Sequence, residues 1–189
     1  MAFVAAGALV ALWAITLTLV AGVSWQVDSG FALGGAVGLV AFTFFNNAAE
    51  ELAYRGWLFL RLQSDFGAAI AVIAPTVIFA AAHVQGGVPW PNAVAGVFTT
   101  GIILALLFHR TRSVPLVLGF HLATNVFQEV LGLRQGGATI LSPHFRAGVT
   151  ATEGYLILAI VAAINLAVAW IVWRFLRSYD RTSRAAASA

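Results

Sequence analysis

The sequence predicts an all-α membrane protein, a polytopic transmembrane helical bundle of about six spanning helices. Of its 189 residues, 61% are hydrophobic and only 9% are charged, and the mean hydropathy is +0.92. Soluble domains carry about 25% charged residues, so this composition indicates a membrane protein. Six apolar runs also approach the length of about 20 residues that a helix needs to cross a bilayer.

The predicted spans follow one another closely, and turn-forming residues separate them. They cover residues of about 2–22, 31–63, 68–84, 92–108, 114–131 and 153–175. The breaks fall at Asp28-Ser29-Gly30, at Asp65-Phe66-Gly67, at 85–91, at Ser113 before Pro115, and across 132–152. No repeat or linker divides the chain, so we predict one membrane-embedded domain, 1–189, with a motif core of about 46–130 and a basic tail of about 174–189.

The first two spans carry further signals. Ala21-Gly22-Val23 looks like a signal-peptide cleavage site, but the first run lacks a basic n-region and is longer than the usual run of about 7–15 apolar residues. We therefore interpret it as a spanning helix. In the second run, which is long enough to project beyond the bilayer or to tilt, Gly30, Gly34 and Gly38 form a small-residue stripe. Such a stripe is typical of close packing against another helix.

Charge and cysteine usage exclude several classes of function. Cysteine is absent, which excludes disulfides, thiolate metal sites and cysteine nucleophiles. The pI is about 10.2, but the positive charges are all arginines at the ends of apolar runs, which indicates membrane topology and not nucleic-acid binding. Seven arginines fall on the predicted side of the termini and two on the other. We therefore expect an integral protein of a bacterial or archaeal inner membrane, with both termini in the cytoplasm.

Ionisable residues within the apolar runs form the first candidate site. Charge at bilayer depth costs about 2.5–3.5 kcal/mol per group and usually marks a functional interior. Glu51 and Arg55 are at i and i+4, where a carboxylate and a guanidinium can pair, while Glu50 points about 100° away. Glu50 is thereby left as a general base in a low-dielectric pocket. The alternative is a buried ion pair that only fixes helix packing.

Two further clusters lie on separate predicted spans. His83 follows Phe79 by one turn. Taken alone, His83 is most simply a hydrogen-bonded histidine at a helix interface, and Phe79 is a packing residue. His121 and Asn125 share a helix face, so they can donate hydrogen bonds to an oxyanion, bind a metal, or join helices. Asn46 and Asn47, one turn before the glutamates, can line the same cavity.

Convergence of the clusters requires tilted helices. Counted at about 1.5 Å per residue from the cytoplasmic ends, His121 lies about 10 Å deep. Glu50 and His83 lie about 20 Å and about 22 Å deep by the same count.

Together the three clusters resemble the motifs of the CAAX-protease and bacteriocin-processing (CPBP, Abi) family of intramembrane endopeptidases. Those motifs are Glu-Glu-x-x-x-Arg, Phe-x-x-x-His and His-x-x-x-Asn or Asp, and all three occur here in that order. The resemblance implies that Glu50 and His83 activate a water molecule and that His121 and Asn125 stabilise the oxyanion. Glu51 and Arg55 would then support the site.

The resemblance leaves the cofactor and the physiological role open. We favour a metal-free reaction, because no His-Glu-x-x-His motif is present; the alternative is Zn²⁺ bound by Glu50, His83 and His121. The expected activity is hydrolysis of a peptide bond in a membrane-associated or lipidated protein or peptide. The expected partners are the lipid bilayer and that substrate, with no nucleic acid. The alternatives are a small proton-coupled transporter and a bacteriocin-immunity protein without turnover. The sequence does not predict an oligomeric state.

Overall fold

The protein is a helical bundle with one short β-ribbon. The computed structural model describes residues 2–28, 33–134 and 139–187, with side chains up to 175. The elements in chain order are α1 (Ala2–Ala21), β1 (Ser24–Val27), α2 (Leu33–Glu51), a π-helical segment (Leu52–Trp57), α3 (Leu58–Gln85), α4 (Trp90–Asn92), a second π-helical segment (Ala93–Phe98), α5 (Thr99–Thr111), α6 (Val114–Val130), β2 (Leu141–His144) and α7 (Ala151–Ala187).

The helices confirm the predicted all-α membrane bundle. Within the described residues, four helical stretches are long and apolar enough to cross a bilayer: Ala2–Ala21, Leu33–Gln85, Trp90–Thr111 and Ala151–Phe175. The second has 53 residues and is broken at Gly67, whose φ of +84° is not helical. Helix α6, with 17 residues, is slightly shorter than these four stretches. The second stretch forms two spans, one on each side of Gly67, and α6 adds another. The described helices therefore account for the predicted number of about six spans.

Local chemistry sets the helix boundaries near the predicted breaks. Gly67 adopts a backbone conformation that side chains disfavour, so the predicted turn at 65–67 is confirmed. Ser113 caps α6, because its hydroxyl accepts a hydrogen bond from the amide of Leu116 at 3.3 Å. The predicted break at 28–30 falls mostly outside the described residues. Gly56, with ψ of −108°, adds a kink within the π-helical segment that follows α2.

A buried core joins α1, α3, α5, α6 and α7. Its fully buried members include Val10, Phe59, Ile103, Leu104 and Val117. Asn165 of α7, which is also buried, adds a polar junction: its Oδ1 accepts from the Trp13 indole at 3.0 Å, and its Nδ2 donates to Thr99 at 2.7 Å and Thr100 at 3.2 Å. Hydrogen bonds of this kind tie helices together where apolar burial alone discriminates poorly between partners.

Two features differ from the sequence analysis. Strands β1 and β2 pair antiparallel, with Ser24 opposite His144, in stretches that lie between the predicted spans and for which no strand is predicted. The prediction of close packing at the glycine stripe is wrong for its described members, because a Cβ on Gly34 or Gly38 would meet nothing within 4 Å. Both glycines face outward because α2 packs mainly against α6 and the π-helical segment; Gly30 lies outside the described residues.

Candidate active site

The deepest part of the site is an ion pair at the end of α2. The side chains of Glu51 and Arg55 are 0% and 1% exposed, and Arg55 Nη1 lies 3.0 Å from Glu51 Oε1. The guanidinium also donates from Nη2 to the carbonyl of Gly101 on α5, at 3.5 Å, and stacks on the Phe79 ring at 4.6 Å. Because both groups are buried and paired, removal of either partner would leave an uncompensated buried charge.

His121 of α6 lies between the two adjacent glutamates. Its Nδ1 is 2.8 Å from Glu51 Oε1, and its Nε2 is 3.8 Å from Glu50 Oε2. A carboxylate only accepts hydrogen bonds, so Nδ1–H is the donor in the hydrogen bond to Glu51. Glu50 is 22% exposed, and its Oε1 accepts from Asn46 Nδ2 at 2.9 Å. One carboxylate thus orients the imidazole, while the other remains accessible beside Nε2.

The Phe79 ring is the common neighbour of the three motifs. It lies 4.4 Å from the His83 ring and 5.9 Å from the His121 ring between centroids, in edge-to-face geometry, and 5.3 Å from Tyr54. His83 is held by a 2.9 Å hydrogen bond between Nδ1 and the Phe79 carbonyl, which leaves Nε2 as its reactive nitrogen. Among the described residues no hydrogen bond joins His83 to Glu50; the imidazole beside Glu50 is that of His121.

Asn125 takes part in a chain of polar contacts next to this centre. Its Nδ2 donates to Asn47 Oδ1 at 3.0 Å, and its Oδ1 accepts from Arg134 Nη1 at 2.7 Å. Arg134 also pairs through Nε with Glu129 Oε1 at 3.2 Å. Asn125, Asn47 and Glu129 are all buried, whereas Arg134 is 44% exposed. These polar contacts connect α6 and Arg134, which follows it, to α2.

The structure therefore brings most of the predicted residues together and adds others. Glu50, Glu51, Arg55 and His121 form one connected set, which Asn46 joins through Glu50 and His83 adjoins through Phe79. Asn47 contacts Asn125 instead. The sequence analysis missed Arg134 and Glu129. The spacing of Asn125 and Glu129, one helical turn apart, is a signal for Glu129. No local signal points to Arg134, because its partners lie on another element.

The alternative Zn²⁺ site would require Glu50, His83 and His121 to converge on one point. Within residues 2–28, 33–134 and 139–187, no three His, Asp or Glu side chains are grouped so that they could hold a metal ion. Both histidines keep Nε2 open, because His121 Nδ1 is directed at Glu51 and His83 Nδ1 at a backbone carbonyl. What the groups can do is acid–base chemistry, because a half-buried carboxylate faces an oriented imidazole beside a carboxamide.

Comparison with known proteins gives one match. The model of a protein family described as type II CAAX prenyl endopeptidase Rce1-like matches residues 31–127, about half of the chain. Curated proteins and solved structures give no significant match. The matched range contains all three motifs, from Glu50 to Asn125.

Proposed function

The chain belongs to the Rce1-like family of type II CAAX prenyl endopeptidases, and on that premise we propose that it hydrolyses a peptide bond of a membrane-associated or lipidated protein or peptide. Its several apolar helices make it an integral membrane protein, so the bilayer and a membrane-bound peptide are its partners. The observation that carries the proposal is His121, held between the carboxylates of Glu50 and Glu51 in a mostly buried site.

In the proposed reaction Glu50 is the general base. The 3.8 Å between Glu50 Oε2 and His121 Nε2 is too long for a direct hydrogen bond, but one water molecule about 2.8 Å from both atoms fits beside it. Glu50 takes a proton from this water as the water oxygen attacks the carbonyl carbon of the scissile bond. The proton then passes to the leaving nitrogen as the C–N bond breaks, so the carboxylate is regenerated without a metal ion.

The neighbouring groups support charge that develops during attack. With Nδ1 engaged by Glu51, His121 presents Nε2 first to the water beside Glu50 and then to the oxyanion of the tetrahedral intermediate. Asn125 has a second N–H on Nδ2 besides the one given to Asn47, and we assign it to the same oxyanion. His83 shares in proton transfer through Nε2. Arg55 pairs with Glu51, which contacts His121 Nδ1, and therefore acts through His121.

The test is cleavage of a fluorescent farnesylated peptide by the purified protein in proteoliposomes. Glu50→Gln removes the base and is expected to lower kcat at least about 100-fold. Glu153→Gln is the matched control, because Glu153 bonds Thr150 and Arg146 at the start of α7 and takes no part in the site. Cleavage by Glu50→Gln at the parental rate would contradict the assigned base. Absence of cleavage by the parent, with prenylated and unprenylated peptides, would contradict hydrolysis.

The proposal includes the orientation expected from the arginines, with both termini in the cytoplasm. The chain has no cysteine, so single cysteines report sidedness cleanly. Ser64 is exposed and lies near the Gly67 turn. We expect Ser64→Cys to react with a membrane-impermeant thiol reagent only after the inner membrane is permeabilised. His144→Cys, exposed on β2, should react in spheroplasts. The reverse pattern would invert the topology.

A further inference from the structure

We propose that Arg134 is a positioning residue of the active site: its guanidinium fixes the Asn125 carboxamide in the orientation that turns Nδ2 towards the reacting carbonyl. The inference rests on the proposed function, in which Asn125 stabilises the oxyanion. Arg134 and its partner Glu129 both follow residue 127, so they lie beyond the part of the chain that the family model matches. Neither residue belongs to any of the three motifs.

The argument starts from the two ends of a carboxamide. An asparagine side chain can rotate by 180° with little change of shape, which exchanges its oxygen acceptor with its two N–H donors. Arginine only donates, so the 2.7 Å contact with Arg134 Nη1 is satisfied only when Oδ1 of Asn125 is on that side. Nδ2 must then lie on the opposite side, where it donates to Asn47 Oδ1 at 3.0 Å.

Without this constraint the asparagine would be free to adopt both orientations, one of which presents the wrong group to the intermediate. Asn47 offers an oxygen and an N–H and can itself rotate, so it accepts either orientation of Asn125. An inverted Asn125 would direct a carbonyl oxygen at the oxyanion, and the two oxygens would repel each other. A charged donor on Oδ1 selects one orientation strongly, since charge-assisted hydrogen bonds are about twice as strong as neutral ones.

Glu129 holds the guanidinium in place. Its Oε1 lies 3.2 Å from Arg134 Nε in an ion pair, and the glutamate follows Asn125 by one turn of α6. The carboxylate is 6% exposed and the arginine 44% exposed, so the pair links the buried asparagine to a solvent-accessible side chain. Substitution of Arg134 therefore leaves no large cavity, although it deprives the buried Glu129 of its cation.

The first experiment separates positioning from stability. Arg134→Met removes the donors and keeps the aliphatic stem, and Glu129→Gln/Arg134→Met also removes the orphaned charge. We expect both to lower kcat about 10- to 100-fold with KM changed less than about twofold, because only the transition-state contact is lost. Arg134→Lys keeps a donor and should recover part of the activity. Parental kcat in the double variant would overturn the proposal.

The matched control is another arginine of the connection between α6 and α7. Arg146 is 48% exposed and pairs with Glu153 away from the site, so Arg146→Met should keep the parental kcat. A double-mutant cycle adds the decisive comparison. If Arg134 acts through Asn125, Arg134→Met has no further effect on kcat in an Asn125→Ala protein. Additive losses would show that Arg134 acts elsewhere and would overturn the assignment.

A spectroscopic readout keeps the inference independent of proteolysis. The chain has five asparagines, so ¹⁵N-asparagine labelling gives five side-chain amide pairs, and Asn125→Asp identifies that of Asn125. Arg134→Met should shift the Asn125 pair and leave the buried Asn165 pair unchanged. If the parent cleaves no peptide, the proposed function fails, and this measurement still decides the positioning role. An unshifted Asn125 pair would overturn it.

Discussion

Gly101 of α5 allows close contact between α5 and the active-site helices, and Gly101→Ala tests that contact. A Cβ at this position would lie 2.8 Å from Thr76 Cγ2, and 3.5 Å from both Arg55 Nη2 and Phe79 Cδ1. The second and third distances are ordinary contacts. The first is about 0.8 Å shorter than a normal carbon–carbon contact of about 3.6 Å. Thr76 is fully buried, and its hydroxyl is bonded to the Val72 carbonyl at 2.7 Å, so it cannot easily move.

Two opposing effects set the magnitude. Overpacking a buried position costs about 1–3 kcal/mol, whereas replacing a helical glycine by alanine gains up to about 1 kcal/mol. The clash outweighs the gain, so we expect the free energy of unfolding to fall by about 1–2 kcal/mol. Because the contacts with Arg55 and Phe79 remain ordinary, kcat should fall less than about tenfold.

The assay is reversible denaturation in mixed micelles, followed by tryptophan fluorescence, with peptide cleavage measured alongside. Thr76→Ser is the matched second substitution, because it deletes Cγ2 and keeps the hydroxyl. In Gly101→Ala/Thr76→Ser the new methyl group occupies the vacated space, so stability should return to within about 0.5 kcal/mol of the parent, which is a non-additive result. A Gly101→Ala protein as stable as the parent, or one that Thr76→Ser does not rescue, would refute the reasoning.

Three further outcomes are expected. Arg55→Met leaves Glu51 as an uncompensated buried charge and should destabilise the protein by about 3–5 kcal/mol, while Glu51→Gln/Arg55→Met recovers stability but not kcat; recovery of both would contradict the support role. Asn165→Leu removes three interhelical hydrogen bonds, each worth about 0.6–2 kcal/mol, so unfolding in micelles should require less denaturant with kcat unchanged; unaltered stability would show that the junction is dispensable. Exhaustive chelation, with elemental analysis showing no bound metal, should leave peptide cleavage intact; loss of activity restored by Zn²⁺ would contradict the metal-free reaction.

Much of the fold follows from local patterns. Hydropathy predicts the spans, and turn residues predict their limits, as Gly67 and Ser113 show. Contacts within one helix are also predictable, because spacing along a helix determines which side chains share a face. The ion pair between Glu51 and Arg55 is of this kind, and so is the hydrogen bond between Asn46 and Glu50.

Contacts between elements were beyond the sequence. The predicted difference in depth does not separate His121 from Glu50. The stretch that carries Glu50 is kinked at Gly56, so a depth counted along a straight helix does not apply to it. The resemblance pairs Glu50 with His83, whereas the imidazole beside Glu50 belongs to His121. The contact of Phe79 with His121, in addition to His83 on its own helix, also depends on how α3 and α6 meet.

By itself, the sequence determined that this is a membrane helical bundle, which residues are too polar for lipid, and which of them share a helical turn. Hydropathy is a property of each short segment, and helical periodicity relates residues three or four positions apart, so both can be read directly from the sequence. The tertiary structure decided which imidazole lies between the two glutamates, and that Arg134 and Glu129 adjoin Asn125. Those contacts depend on kinks, tilts and close approach at Gly101, and they result from the packing of all the helices together.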